Sequence, residues 1–167
     1  MDPIQRTVEK MEILDLLGRY CLTIDDHDID AWVSCFTEDG VFGAEGRALI
    51  GREKIKAYGK VHTQFGTRHI TCAPVYEIAD DGLTATGNAS TVVTVATERG
   101  FRIAMAGSYT DQLKKVDGRW LIARRWGAFQ KRPEDTASGW DGASLDPDVA
   151  HVHRTLTDAM MRYSVPA

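Results

Sequence analysis

The stretch from Leu83 to Gln130 constrains this chain most. It holds three long segments, LTATGNASTVVTVAT (83–97), FRIAMAGSYTDQLKKV (101–116) and RWLIARRWGAFQ (119–130), separated only by ERG and by a turn at VDG. Thr and Val enrichment with period-two alternation predicts strands. Links this short join antiparallel neighbours, because a parallel connection needs a crossover of about a dozen residues or more. An antiparallel meander therefore occupies the second half of the chain, and whatever precedes it must cover one face.

The first half supplies that cover. Apolar residues at Ile4, Val8, Met11, Leu14, Leu17, Cys21 and Ile24 recur at steps of three and four, with Ile13, Leu16 and Tyr20 broadening the stripe. This predicts a long first helix buried on one wide face. Gly18 inside it costs about 1 kcal/mol relative to Ala, which predicts close backbone approach to a sheet. Asp28 is placed to cap a short second helix, IDAWVSCF, with Ile29, Trp32, Val33 and Phe36 inward. TEDG stops it, and a short strand is expected from Val41 to Glu45. GREKIKAYGKVHTQF predicts a third helix, and GTRHITCAPVYEI a strand in which Pro74 marks an edge or a bulge. After a Pro-, Gly- and Asp-rich stretch from Lys131, DVAHVHRTLTDAMMRYS has Val149, Val152, Leu156, Met160 and Tyr163 near helical spacing. Helices first and a curved, mainly antiparallel sheet afterwards define an α+β fold. Helices crossing a bent sheet leave a cone with an open mouth, suited to a small molecule.

The chain has 167 residues, 43% apolar and 26% charged, with a net charge of −4. One hydrophobic core is expected. The acidic balance argues against nucleic acid or an acidic membrane surface as partner. No apolar run approaches the roughly 18 residues of a membrane span, and the charged N-terminus lacks a signal-peptide core, so a cytoplasmic protein is expected. Cys21, Cys35 and Cys72 match no metal or redox spacing and are read as buried free thiols. DDHDID lacks the Gly and distal Glu of a calcium loop, and His151 and His153 cannot share a helix face, so no metal site is expected.

The segments at 13–42, 51–58, 67–78 and 107–125 resemble the SnoaL-like group of the nuclear transport factor 2-like superfamily. The likeness covers most of Ile4–Lys131. It implies a cone-shaped α+β barrel over residues 1–131, with 132–167 as a helical tail packing on the same domain or on a neighbouring subunit. The nearest branch holds scytalone dehydratase, bile-acid 7α-dehydratases and lindane dehydrochlorinase. These use a His–Asp pair in the cone, the Asp ending the first helix and the His opening the strand after the third. Asp25 and His69 occupy those places. Tyr20 matches a Tyr of the bile-acid enzymes five residues before the Asp, where the dehydrochlorinase has Lys. Arg125, five residues after Trp120, matches a pocket Arg of the dehydrochlorinase. No cofactor is expected, and a homo-oligomer is, since exposed apolar sheet faces are common in this fold; the branch implies a trimer and the wider superfamily a dimer.

The chemistry suits such residues. Loss of water across a C–C bond needs a base for the carbon-bound proton, and a neutral His serves near pH 7. A buried carboxylate on the other ring nitrogen fixes the tautomer and stabilises the imidazolium that forms. Tyr20 and Arg125 are the candidates to steady developing charge on an oxygen, or, for Tyr20, to protonate a departing hydroxyl. Tyr20 and Asp25 lie about 500° apart around an ideal helix, so they share a face only if Asp25 sits at the helix end. Alternation places Leu121, Ala123, Arg125 and Gly127 on one face of the last strand. Trp32 and Asn88 are the candidate substrate-binding residues. The expected activity is a cofactor-independent, dehydratase-like lyase acting on a fairly apolar hydroxylated or carbonyl-bearing small molecule. The alternatives are an isomerase or cyclase on the same scaffold, or a non-catalytic ligand-binding or scaffolding domain.

Overall fold

The computed structural model describes residues 1–130 and 147–167. The helices are α1 (Pro3–Asp25), α2 (Ile29–Ser34), α3 (Arg52–His62) and α4 (Pro147–Tyr163). The strands are β1 (Phe36–Ala44), β2 (Arg47–Ile50), β3 (Thr67–Ile78), β4 (Thr84–Thr97), β5 (Gly100–Val116), β6 (Arg119–Phe129) and β7 (Val165–Pro166). They form one sheet in the order β3-β4-β5-β6-β1-β2-β7, antiparallel throughout except for the parallel pair β1–β6. The meander expected from the short turns is β4-β5-β6. The helices pack on one side of this mostly antiparallel sheet, as an α+β fold requires. No helix among the described residues is long and apolar enough to cross a membrane.

Local chemistry sets the helix ends. Asp2 caps α1 by accepting from the Gln5 N–H, with Pro3 in the first turn. Asp28 caps α2 through the Ala31 N–H. The hairpin β1–β2 turns at Glu45 and Gly46, both at positive φ, as a two-residue turn between twisted strands demands. Strand β1 begins at Phe36, earlier than expected, because Phe36 pairs with Ile122 before the register shifts ahead of Val41. Strand β2 carries only four residues, too few for alternation to reveal.

The core face of α1 is Ile13, Leu16, Leu17, Tyr20 and Ile24; Ile4, Val8, Met11 and Leu14 are exposed, which corrects the expected stripe. Instead the buried side of the first turns carries Glu9, whose carboxylate accepts from Lys115 Nζ and from the Trp120 indole N–H at 2.7 Å. Gly18 is exposed with nothing within 4 Å of the place a Cβ would take, so no sheet approaches it. Gly59, by contrast, is where α3 touches the ring of Trp32: a Cβ there would lie 2.5 Å from a ring carbon. Gly18→Ala is therefore expected to raise stability by about 0.5–1 kcal/mol in urea unfolding. Gly59→Ala is expected to lower it by about 1–3 kcal/mol, since overpacking exceeds the helix-propensity gain. A stabilised Gly59→Ala protein would refute the packing argument.

Strand β3 lies at the sheet edge, and its register shifts between Cys72 and Val75 around Pro74. Cys72 is exposed there, contrary to the buried thiol expected; Cys35 is buried and Cys21 half-buried. Helix α4 packs on α3, β2 and β5 of the same chain. The stretch expected to link it to the sheet falls in 131–146, outside the described residues.

Candidate active site

The C-terminal turn of α1 and the start of β3 meet at Asp25 and His69. On β3 the side chains of Thr67, His69 and Thr71 turn inward, while Arg68 and Ile70 are exposed. Asp25 is the last residue of α1, and that terminal position lets its carboxylate reach β3 while Tyr20, one turn back, stays in the core. Asp25 Oδ1 lies 2.6 Å from His69 Nδ1, and Oδ2 accepts the His69 backbone N–H at 2.6 Å. The Thr67 hydroxyl donates to Oδ1 at 3.1 Å. An ionised carboxylate only accepts, so Nδ1 carries the imidazole proton and Nε2 keeps its lone pair. Burial works to raise the Asp25 carboxyl, but the hydrogen bond and charge of His69, with Thr67, hold it below its ordinary value. Both side chains are almost fully buried, at 6% exposure for His69 and 5% for Asp25.

The neighbouring acids are structural. Asp26 pairs with Arg68, Asp28 caps α2, and Asp30 pairs with Lys56. Among the described residues, no three His, Cys, Asp or Glu side chains gather as a metal site would require.

His69 opens onto an inner chamber of about 40 Å³ lined by aromatic and apolar side chains, among them Tyr20, Trp32, Phe42, Tyr58 and Tyr109. This chamber shares Ala44, Tyr58, Met105, Phe129 and Met160 with an outer one of about 160 Å³. The outer chamber is walled by α4, through His153, Leu156 and Met161, and by the β1–β2 hairpin, through Glu45 and Arg47. The inner chamber has room for the reacting end of a molecule, whose body would extend outward between α4 and the hairpin.

Tyr20 and Trp32 line the inner chamber, as their inward-facing positions predicted. Arg125 does not. It is fully buried, with its Nε and Nη2 donating to the two oxygens of Asp111 at 2.9 and 2.7 Å, and it is sandwiched between the rings of Tyr20 and Tyr109. The Asp111 pair holds it there, and a bulge on β6 reshapes the rest of the expected face. The β5–β6 register shifts between Gln112 and Leu113, leaving Ala123 unpaired, so Ile122 and Arg125 both point inward and the predicted face is broken. Arg125 instead backs the lining rings of Tyr20 and Tyr109, with its Nη1 buried and without a hydrogen-bond partner among the described residues. Asn88 is a second correction: it is exposed on the outer sheet face, where its Oδ1 accepts from the Thr110 hydroxyl. Its parity is opposite to that of buried Ala89, Val93 and Val95.

His62 is the chamber residue that sequence reasoning did not single out. It ends α3 on the buried side, one turn after Tyr58, and that helical spacing is the signal that could have found it. Burial, reinforced by the nearby His69, pushes its pKa down to about 3. With a folded value below the unfolded 6.5, its contribution to stability is intact above pH 6.5 and is lost as pH falls toward 3. Wild type is expected to lose about 2 kcal/mol from this residue by pH 5. His62→Gln should flatten that limb in urea unfolding measured from pH 7 to 4; an unchanged limb would show that His62 is not buried neutral.

An α+β sheet wrapped by helices around an apolar chamber, with a buried His–Asp pair at its base, defines the class. The chain belongs to the SnoaL-like domain family, whose model matches residues 5–126. That family includes polyketide cyclases and dehydratase-like enzymes. Among solved structures, a variant of the Mycobacterium tuberculosis protein Rv3472, described as of unknown function, is 37% identical with a TM-score of 0.91 over 99% of this chain and 97% of that one. A candidate scytalone dehydratase from Novosphingobium aromaticivorans is 22% identical with a TM-score of 0.71, over 78% of this chain and 89% of its own. The beta subunit of a candidate aromatic-ring-hydroxylating dioxygenase from the same organism is 20% identical with a TM-score of 0.67, over 76% and 92%. The last two likenesses establish the fold alone. No curated protein matches the chain.

Proposed function

We propose that this protein is a cofactor-independent, dehydratase-like lyase in which His69 abstracts a carbon-bound proton and Asp25 orients it. One observation carries the reading: a buried, carboxylate-anchored imidazole whose Nε2 has no hydrogen-bond partner among the described residues and faces an apolar chamber. A surface or core-filling histidine has no need of a carboxylate that also locks its backbone. In the proposed cycle Nε2 takes a proton from the carbon next to a carbonyl, and the freed electron pair forms an enolate. The enolate then re-forms the carbonyl, makes the new C=C bond and expels the β-hydroxyl. That hydroxyl takes the proton back from the His69 imidazolium and leaves as water, restoring neutral His69. Asp25 stabilises the imidazolium throughout without taking its proton. Tyr20 lines the chamber where it can donate to an oxygen, its phenol kept protonated by burial.

The substrate expected is a small, fairly apolar β-hydroxy carbonyl compound, its reacting end in the inner chamber. A panel of aromatic and alicyclic β-hydroxy ketones should show enone absorbance with wild type and none above background with His69→Ala. Equal rates for both proteins would sink the reading. The exposed apolar side chains of Ile70, Val75, Phe101 and Ile103 on the sheet support a homo-oligomer, which light scattering on the purified protein would count.

A further inference from the structure

The chamber holds a second imidazole that the dyad does not use. His62 is 5% exposed and lines the chamber, and its imidazole makes no hydrogen bond among the described residues; its Nδ1 is buried without a partner. Its ring centroid lies 5.9 Å from that of His69, with the planes tilted 46°. Buried polar nitrogens are normally paired, because an unmet one forfeits the full cost of its desolvation. Trp32, on the same lining, also has its indole N–H buried without an acceptor. Unpaired donors beside a base are the complement of a ligand that brings an acceptor oxygen.

We propose that His62 is a second substrate-contacting residue, donating a hydrogen bond to a carbonyl oxygen while His69 removes the proton from the adjacent carbon, so that the substrate class is a ketone or related carbonyl compound. This rests on the dyad reading and gives the carbonyl oxygen a donor, leaving Tyr20 for the departing hydroxyl. In a C–C=O unit the acidic carbon and the oxygen are about 2.4 Å apart. Each needs a nitrogen within about 3 Å. Two rings 5.9 Å apart can contact both ends of such a unit. As the proton moves to His69 Nε2, the C–H pair becomes the C=C bond of an enolate and charge gathers on the oxygen that His62 holds. His62 gives up no proton in this step. Burial keeps it neutral, and a neutral imidazole polarises a carbonyl as a donor at one nitrogen. His62 lines the chamber directly, whereas Arg125 spends its Nε and Nη2 on Asp111 behind the Tyr20 and Tyr109 rings.

The test uses 2-tetralone and tetralin, which differ only in the oxygen. Wild type should bind the ketone at least tenfold tighter than the hydrocarbon by calorimetry. His62→Phe should lose that preference, and His62→Gln, which keeps a donor, should retain most of it. Equal preference in wild type and His62→Phe, including no measurable binding by either, overturns the inference. Should His62→Phe not fold, the wild-type imidazole ¹⁵N resonances of His62 decide: they should move with 2-tetralone and not with tetralin, and resonances that stay put overturn it. Exchange of the α-protons of 2-tetralone in D₂O separates this from the dyad reading. Exchange lost in His69→Ala with ketone preference unaffected by His62→Phe leaves the dyad standing and removes His62. Preference lost in His62→Phe with exchange unchanged in His69→Ala does the reverse.

Discussion

Asp25→Asn is expected to fold and to lose turnover by about 10⁴-fold, with His69→Ala falling to the same floor. The cause is a tautomer. Asp25 Oδ2 accepts the His69 backbone N–H, and Oδ1 faces His69 Nδ1. In the Asp25→Asn variant the single amide oxygen must stay on the backbone donor, because an NH₂ group cannot face an N–H. The amide NH₂ then faces Nδ1, which has to accept, and the imidazole proton moves to Nε2. The base no longer has a lone pair toward the chamber. The Thr67 hydroxyl can turn from donating to accepting, so little else is disturbed. The measurement is kcat/KM for enone formation, or α-proton exchange of a ketone, beside a thermal melt. Near-wild-type turnover in Asp25→Asn would refute the assignment of the base. Acid sensitivity gives a second sign. Because the Asp25 carboxyl is held below its usual 3.8, its contribution to stability is present above that value and is lost as pH falls below it; Asp25→Asn should remove that limb.

The dyad was legible because each partner sits at a boundary the sequence marks. Asp25 precedes the run of capping acids that ends α1, and His69 follows the glycine that opens β3. Neither spacing nor periodicity shows that two such ends meet; the family resemblance supplied that, and the geometry bears out the contact. The meander was legible from turn length alone. What failed did so where strict alternation fails. The β6 bulge at Ala123 breaks the alternation, so the face counted as Leu121, Ala123, Arg125 and Gly127 keeps Arg125 and Gly127 inward, while Trp120 and Ile122 take the buried places expected of Leu121 and Ala123. Asn88 shows the opposite case: alternation holds along that part of β4, and counting back from Val93 and Val95 would have put it outside. Buried charge was illegible for another reason. Glu9 and Asp111 interrupt apolar patterns, and only the distant Lys115, Trp120 and Arg125 make their burial tolerable. The exposed Ile4, Val8 and Met11 carry the helical period as well as the core face does, so period alone could not choose between them.

The Asp111–Arg125 pair should give the largest stability effect of any polar substitution in the chain. Both side chains have 0% exposure, Arg125 bonds both carboxylate oxygens, and the Tyr76 hydroxyl donates to Asp111 Oδ2 at 2.5 Å. The guanidinium is stacked 4.2 Å from the Tyr20 ring centroid and 4.4 Å from that of Tyr109. Asp111→Leu leaves this cation buried and uncompensated, a loss of about 3–5 kcal/mol in urea unfolding. Arg125→Met strands the carboxylate and should cost about as much. Removing both charges is a different matter, since neither ion then has to be desolvated alone. Asp111→Leu combined with Arg125→Met should recover at least half of the loss of either single change, a non-additivity that a double-mutant cycle reads directly. Additive losses would mean the two charges are not coupled. The cycle also separates packing from chemistry. If Arg125 touched substrate, the double variant would be stable and inactive. With Arg125 acting only by holding the Tyr20 ring, a refolded double variant should keep most of its turnover, because the His69–Asp25 contact lies on other elements and is untouched.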